Sequence, residues 1–352
     1  MASVKGIFKI FLILVIIISV VKAQDVTIEQ IKANKVKSVE KTTHGYSFGE
    51  PTLLGTKLFN EQYDETGKLV SRTTYNEEGE IETRHDYRYD DLGNLIRETQ
   101  YDPDGSVVKK IMMKHDANKN VTEKTTYESD ESMQSKMMYE WDNNSHLTKE
   151  TVYNSDGEIE SRTTFTYDLN NQLEKSIKYN SDGEPEEKFG YKYENGNLVE
   201  EMKYDGDGER EYKIIREYNN KKNLTQEIKY DAGGDLMSKT RFEYDGNGNV
   251  LEKVSYDDGG DIAGSFTYRY DNQNRLINEL SHESNGSILY EHSFKFDAQG
   301  RIGETIMDNK DEETFVKNRY YYDTNNMIKE IIVNDKLDEP NRAIRFSYEY
   351  YY

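Results

Sequence analysis

The chain has 352 residues, no cysteine, and 67 acidic against 46 basic residues, for a formal net charge of −21. The absence of cysteine excludes a disulfide framework, so stability has to come from burial and hydrogen-bonded ladders. The acidic balance excludes nucleic-acid binding, which needs a basic face, and favours solubility, a cationic partner or divalent ions.

In chain order, Lys5 and Lys9 precede an apolar run from Ile10 to Val21, and Val21-Lys22-Ala23 matches a small-x-small cleavage site. Residues 1–23 therefore read as a Sec-type signal peptide. The apolar run is too short to span a membrane comfortably, and no cysteine follows to carry a lipid. The expected location is secreted, periplasmic or at the cell surface, with no membrane span after cleavage. Residues 24–62 read as an N-terminal cap: a short helix over Asp25–Ala33, from the spacing of Val26, Ile28 and Ile31, then a strand over Val36–Thr43.

Residues 63–352 form a tandem array with a period of 26. An aromatic followed by Asp, Asn or Glu recurs at alternating gaps of 12 and 14, as at Tyr63, Tyr75, Tyr89 and Tyr101. Eleven units plus a final strand reach Tyr348, and Asp308 and Asn334 fill two slots where the aromatic is lost. A fixed period of this size signals one supersecondary unit repeated along the chain.

The single break in phase identifies the turn. Tyr193-Glu194-Asn195-Gly196-Asn197-Leu198 is one residue shorter than Tyr89-Asp90-Asp91-Leu92-Gly93-Asn94-Leu95. Asn-Gly is the favoured centre of a two-residue hairpin. Each anchor therefore closes a strand and opens a turn, and each unit is a hairpin of strands about seven and nine residues long, joined in an antiparallel meander. Alternation places Leu95, Thr99 and Tyr101 of a short strand on the face of Tyr87 and Tyr89, with Arg84, Asp86 and Arg88 on the other. The expected fold is all-β: about 22 strands coiled into a spiral or superhelical sheet so that one apolar face covers itself. The charged outer face argues against an outer-membrane barrel.

The strings Tyr89-Asp90-Asp91-Leu92-Gly93-Asn94-Leu95, Tyr167-Asp168-Leu169-Asn170-Asn171-Gln172-Leu173 and Tyr244-Asp245-Gly246-Asn247-Gly248-Asn249-Val250 resemble the YD repeat of the Rhs and teneurin families. The resemblance covers roughly residues 60 to 350. It implies an extracellular β-hairpin spiral, often a shell, with a loose association with carbohydrate. The longer, regular unit and the absence of a toxin segment after the array resemble more closely the small exported YD-repeat proteins of Bacteroidetes-type bacteria.

One row conflicts with strict alternation. Four residues before each short-strand anchor sit charged or amide side chains, among them Glu123, Lys149, Lys175, Glu200 and Glu252. Alternation buries them, which is costly for an unpaired charge. Three explanations are open: paired or snorkelling side chains at a wet seam, a polar groove flanked by tyrosine columns that binds an extended glycan, or a bulge that turns the row outward. On the groove reading the ligand-binding residues are Tyr139, Tyr167, Tyr191, Lys149, Lys175 and Glu200.

Turns such as Asp102-Pro103-Asp104-Gly105 and Asp205-Gly206-Asp207-Gly208 share the opening of a calcium loop but lack its closing glutamate, and Asp and Gly serve hairpin turns by themselves. The six histidines, at 44, 85, 115, 146, 282 and 292, show no metal-ligand spacing, and no nucleophile motif or phosphate loop is present. No catalytic residue, metal or cofactor is expected. The functional expectation is an exported, non-enzymatic β-repeat binding scaffold whose partner is a protein or a cell-envelope polysaccharide. The alternatives are a carbohydrate-binding protein using the tyrosine face and, from another class, a glycan-acting enzyme.

Overall fold

A computed structural model describes residues 26–335 and 339–351; the signal-peptide reading of residues 1–23 lies outside them. The helix is shorter than expected, Ile28–Ala33. Thr27 caps it, its hydroxyl accepting from the Gln30 N–H while the Gln30 side chain accepts from the Thr27 N–H. The strand after it is longer, Val36–Ser47.

The repeat units match the sequence reading closely. Short strands such as Leu147–Tyr153 and Leu173–Tyr179 alternate with long ones such as Ile159–Tyr167, and every pairing is antiparallel. In the turns, the Asp or Asn after each anchor brackets the backbone. Asp168 Oδ1 accepts from the N–H groups of Asn170 (2.8 Å) and Gln172 (2.9 Å), and Asp245 does the same with Asn247 and Asn249. These bonds stabilise the charged carboxylate. Hydrogen bonds from Asn94 hold Asp90 below the usual carboxylate range, and those from Asn249 do so for Asp245. In the shortened turn, Asn195 (φ 53°) and Gly196 (φ 81°) are both left-handed, and Glu194 pairs with Asn197. That is the two-residue hairpin the deletion implied.

The spiral expectation is corrected. Val36–Ser47 pairs with Thr56–Tyr63 on one side and with the last strand, Arg342–Tyr350, on the other. The segment read as an edge cap thus joins the first and last strands of the array. Among the described residues there are 25 strands; the two-residue Glu50–Pro51 pairs only with Val36–Ser47, and the antiparallel order of the others closes on itself instead of ending in an open spiral. Closure removes the unpaired edges that a spiral would keep.

Two compact units divide the chain. The first comprises the residues up to Asp86 with Phe294–Met307 and Thr314–Tyr352. It holds a dry core in which Ile31, Val36, Val39, Met327, Ile331 and Phe346 pack together. The second comprises Tyr87–Ser293 with Asp308–Glu313. Among its described residues the buried hydrophobic side chain is Val254, and most of its strand residues are half-buried. This unit depends more on its ladders and on side-chain pairing across strands than on a dry core.

The charged row is resolved by bulges. Glu140 pairs with Lys149 while Trp141 pairs with Leu147, so one extra residue sits at position 148. The same shift recurs where Lys192 pairs with Glu200 and Tyr193 with Leu198, and where Glu243 pairs with Glu252 and Tyr244 with Val250. Each bulge switches faces between the leading aliphatic residue and the charged one. The aliphatic residue keeps company with the long-strand aromatics. The charged residue, the Thr or aliphatic two further on, and the short-strand tyrosine all lie on the opposite face.

Candidate functional site

The two faces carry different chemistry. On the first, the long-strand anchor ties units together. The hydroxyls of Tyr167, Tyr218 and Tyr244 donate to the carbonyls of Leu147, Leu198 and Leu224, twenty residues earlier, at 2.9, 2.9 and 2.6 Å. Trp141 Nε1 does the same to Val121 at 2.8 Å. Each acceptor is the aliphatic residue beside a bulge, so the anchor needs both a ring and a donor. The same face also holds ionic groups. Arg216 lies between Glu227 (2.7 Å) and Glu201 (3.2 Å), and the Lys253 ammonium stands 5.9 Å from the rings of both Phe242 and Phe266. Burial pushes the Lys253 ammonium below its usual range. Glu279 is fully buried there, accepts from the Tyr290 hydroxyl and is opposed by His292; burial raises its carboxyl.

On the second face a regular arrangement runs through the larger unit. Five before each of the six long-strand anchors from His115 to Tyr244, a basic residue sits between a Thr or aliphatic residue on one neighbouring strand and a tyrosine on the other. The six triads are Thr99–Lys110–Tyr127, Thr125–Lys136–Tyr153, Thr151–Arg162–Tyr179, Ile177–Lys188–Tyr204, Met202–Lys213–Tyr230 and Ile228–Lys239–Tyr256. The ammonium groups of Lys136, Lys188 and Lys239 stand 6.0, 5.1 and 5.4 Å from the rings of Tyr153, Tyr204 and Tyr256. Lys110, Lys136 and Lys213 also meet carboxylates, of Glu131 (2.8 Å), Glu123 (3.4 Å) and Glu200 (2.6 Å). Arg162, Lys175 and Lys188, on three adjacent strands, have no acidic partner among the described residues. Beside Lys175, the paired position on the next strand is Gly190, where a Cβ would meet Met202 Cε at 3.8 Å.

The expected groove residues are therefore divided by the sheet. Lys149, Lys175 and Glu200 lie on the second face, where Lys149 meets Glu140 at 2.7 Å and Glu200 meets Lys213. Tyr139, Tyr167 and Tyr191 lie on the first. The Tyr139 hydroxyl donates to Met137 Sδ, and Tyr191 stacks with Phe189 at 6.3 Å. The tyrosines that accompany the lysines are instead the short-strand anchors, Tyr153, Tyr179 and Tyr204. The missed signal was the run of Lys and Arg at 110, 136, 162, 188, 213 and 239, one per repeat and in phase with the deletion.

Two open clefts lie at the turns. One of about 520 Å³ is lined by Asp168, Asn170, Gln172, Tyr193, Asn195 and Gly196; one of about 480 Å³ includes Asn219, Lys221, Tyr244 and Asp245. The side chains of Asp168, Asn219 and Asp245 are engaged in the turn brackets. No group of three or more His, Cys, Asp or Glu among the described residues could hold a metal ion. No helix among the described residues is long and apolar enough to cross a membrane.

A family model described only as "Uncharacterised protein" matches residues 21–184. No curated protein matches the chain. Among solved structures it is similar to the Tc holotoxin pore of Photorhabdus luminescens, at 12% identity over 82% of this chain and 19% of that one, with a TM-score of 0.40. A TcdB2–TccC3–Cdc42 structure matches at 11% identity over 82% of this chain and 19% of that one, TM-score 0.31. A porin-like protein from Bacteroides uniformis matches at 10% identity over 89% of this chain and 98% of that one, TM-score 0.22. The chain spans about a fifth of the length of the toxin chains it matches.

Proposed function

We propose that this chain is an exported, non-enzymatic β-repeat scaffold that binds an extended, acidic cell-envelope polysaccharide along its second face. The observation that carries this reading is the sixfold triad of a small or aliphatic residue, a cation and a tyrosine. Tyrosine rings offer flat faces on which sugar rings stack, and the cations select carboxylate or sulfate groups. Successive triads are two strands apart, and the row slants by two residues per unit, since Lys110 faces Tyr127 while Lys136 faces Thr125. The repeat distance is roughly 12 Å, the scale of a disaccharide, so a regular polymer can meet one triad per repeat unit. In a chain of net charge −21, a face with unopposed cations is a local exception to the global field. The YD-type repeat, the signal-peptide reading and the absence of a nucleophile motif agree with an exported binding protein.

The test is binding of acidic and neutral polysaccharides to the chain from Gln24 onward, with a second protein carrying Arg162→Gln and Lys188→Gln. Acidic polymers should bind in a salt-dependent manner, and the double variant should lose at least tenfold in affinity while keeping its melting temperature. Equal binding by both proteins, or binding of neutral polymers alone, would refute the reading. Shortened glycan products after incubation would refute its non-enzymatic part.

A further inference from the structure

Three large apolar side chains stand in full solvent along the hairpin Tyr46–Gly55. Phe48, Leu53 and Leu54 are 106%, 95% and 91% exposed. The base of this hairpin is fixed. His44 is buried, with Nδ1 2.9 Å from the Thr52 carbonyl and Nε2 2.9 Å from the Thr42 hydroxyl. The Thr52 N–H donates to the Gly45 carbonyl (2.8 Å) and its hydroxyl to the Leu54 carbonyl (2.9 Å). Gly55 packs so closely on the His44 ring that a Cβ there would lie 2.5 Å from it. These bonds tie the base of the hairpin to Thr42, His44 and Gly45.

The tip also runs against local preference. Ser47 pairs with Glu50, so Phe48 and Gly49 form the centre of a two-residue turn, with φ 54° and 83°. Such turns favour Asn-Gly, and a bulky side chain in the left-handed region is strained. Full exposure means that the Phe48 ring returns no packing energy for that strain, so its reason lies outside the fold.

We propose that this hairpin is a membrane-docking tip, with Phe48, Leu53 and Leu54 entering the interfacial layer of a zwitterionic lipid bilayer. A ten-residue hairpin cannot supply the roughly 800 Å² per partner that a stable protein interface buries. Insertion into lipid needs only the apolar side chains themselves. Charge decides the lipid class. Glu50 is the sole charged residue from Tyr46 to Gly55, and the chain as a whole is strongly acidic, so the polybasic attraction that recruits proteins to anionic headgroups is missing.

The test uses the chain from Gln24, which keeps every described element and omits the apolar run at 10–21 that would enter lipid unaided. It should float with phosphatidylcholine vesicles in a density gradient. A Phe48→Ser, Leu53→Ser, Leu54→Ser variant should bind at least tenfold less with an unchanged melting curve. A Phe48→Trp variant should show a blue-shifted emission on adding vesicles, against an unmoved Trp141 signal in the parent. Adding phosphatidylserine should not improve binding. The proposal fails if the parent chain stays at the bottom of the gradient, if the triple variant floats equally well, or if phosphatidylserine raises binding severalfold. It also fails if the triple substitution abolishes self-association while no vesicles are bound, which would make a second copy the occupant.

Discussion

Replacing Tyr167 by Phe tests whether the long-strand anchors act as ties between units. Its hydroxyl donates to the Leu147 carbonyl at 2.9 Å, and its ring stacks on His146 with centroids 4.8 Å apart. Tyr167→Phe keeps the ring and removes the bond, leaving a carbonyl beside a bulge without its donor. The expected loss is about 1 kcal/mol. Tyr167→Ala also removes a half-buried ring, for a loss of about 3 kcal/mol, the lower end for a large-to-small change because the site is not fully closed. Tyr218 and Tyr244 make the same tie in later units, so the triple Tyr→Phe variant should lose about 3 kcal/mol if distant sites add. Urea unfolding can follow this through the single tryptophan, Trp141, which occupies an equivalent anchor position. The midpoint should fall at constant slope. A Tyr167→Phe protein as stable as the parent would show that the hydroxyl is a bystander. One as unstable as Tyr167→Ala would show damage beyond a single bond.

Gly196→Ala places a Cβ at φ 81° in the two-residue turn and should cost more than about 1 kcal/mol in the same assay. His292 is held neutral by burial, its pKa pushed down to about 4. Its contribution is complete above the unfolded value of about 6.5 and is lost as pH falls from there to about 4, on the order of 3 kcal/mol. His292→Gln should flatten the melting-temperature profile in that window relative to the parent, and parallel profiles would refute the assignment. EDTA and millimolar calcium should leave the melting temperature within a degree or two, because Asp102, Asp104 and Asp205 accept backbone N–H bonds as turn brackets. A saturable rise of many degrees would convert them to ligands.

The period, the strand ends and the turn chemistry were legible because each has a local cause. Tyr-Asp marks a strand end since the tyrosine ties to a carbonyl and the aspartate brackets the turn. The lost residue before Gly196 exposed the hairpin without any tertiary information. Facing was not legible. A bulge inserts one residue without a side-chain signature, so parity counted back from Tyr153 puts Leu147 and Lys149 together when the ladder separates them. The one symptom was the charged row, and the bulge was among its three explanations. Closure was hidden for a different reason. Val36–Ser47 lies outside the periodic segment, and its register with Arg342–Tyr350 depends on where the whole array ends in space. The tyrosine-flanked groove failed with the parity on which it rested.

The seat of the first strand bears on the order in which the chain can fold. Val36 pairs with Tyr350, more than 300 residues away, whereas neighbouring strands of the repeat units are joined by short turns. Hairpins can therefore zip one after another as the polypeptide emerges, but the final seam has no partner until Arg342–Tyr350 has been made. Bringing such distant segments together is a slow, entropically opposed step. Throughout that interval the nascent sheet presents a free edge at each end, the condition under which one molecule adds to another instead of to itself. The strand Val36–Ser47 is thus a latch, made before the repeats and engaged after them. A chain cut short before Arg342 should yield a sheet with its repeats in place and a lasting tendency to polymerise end to end.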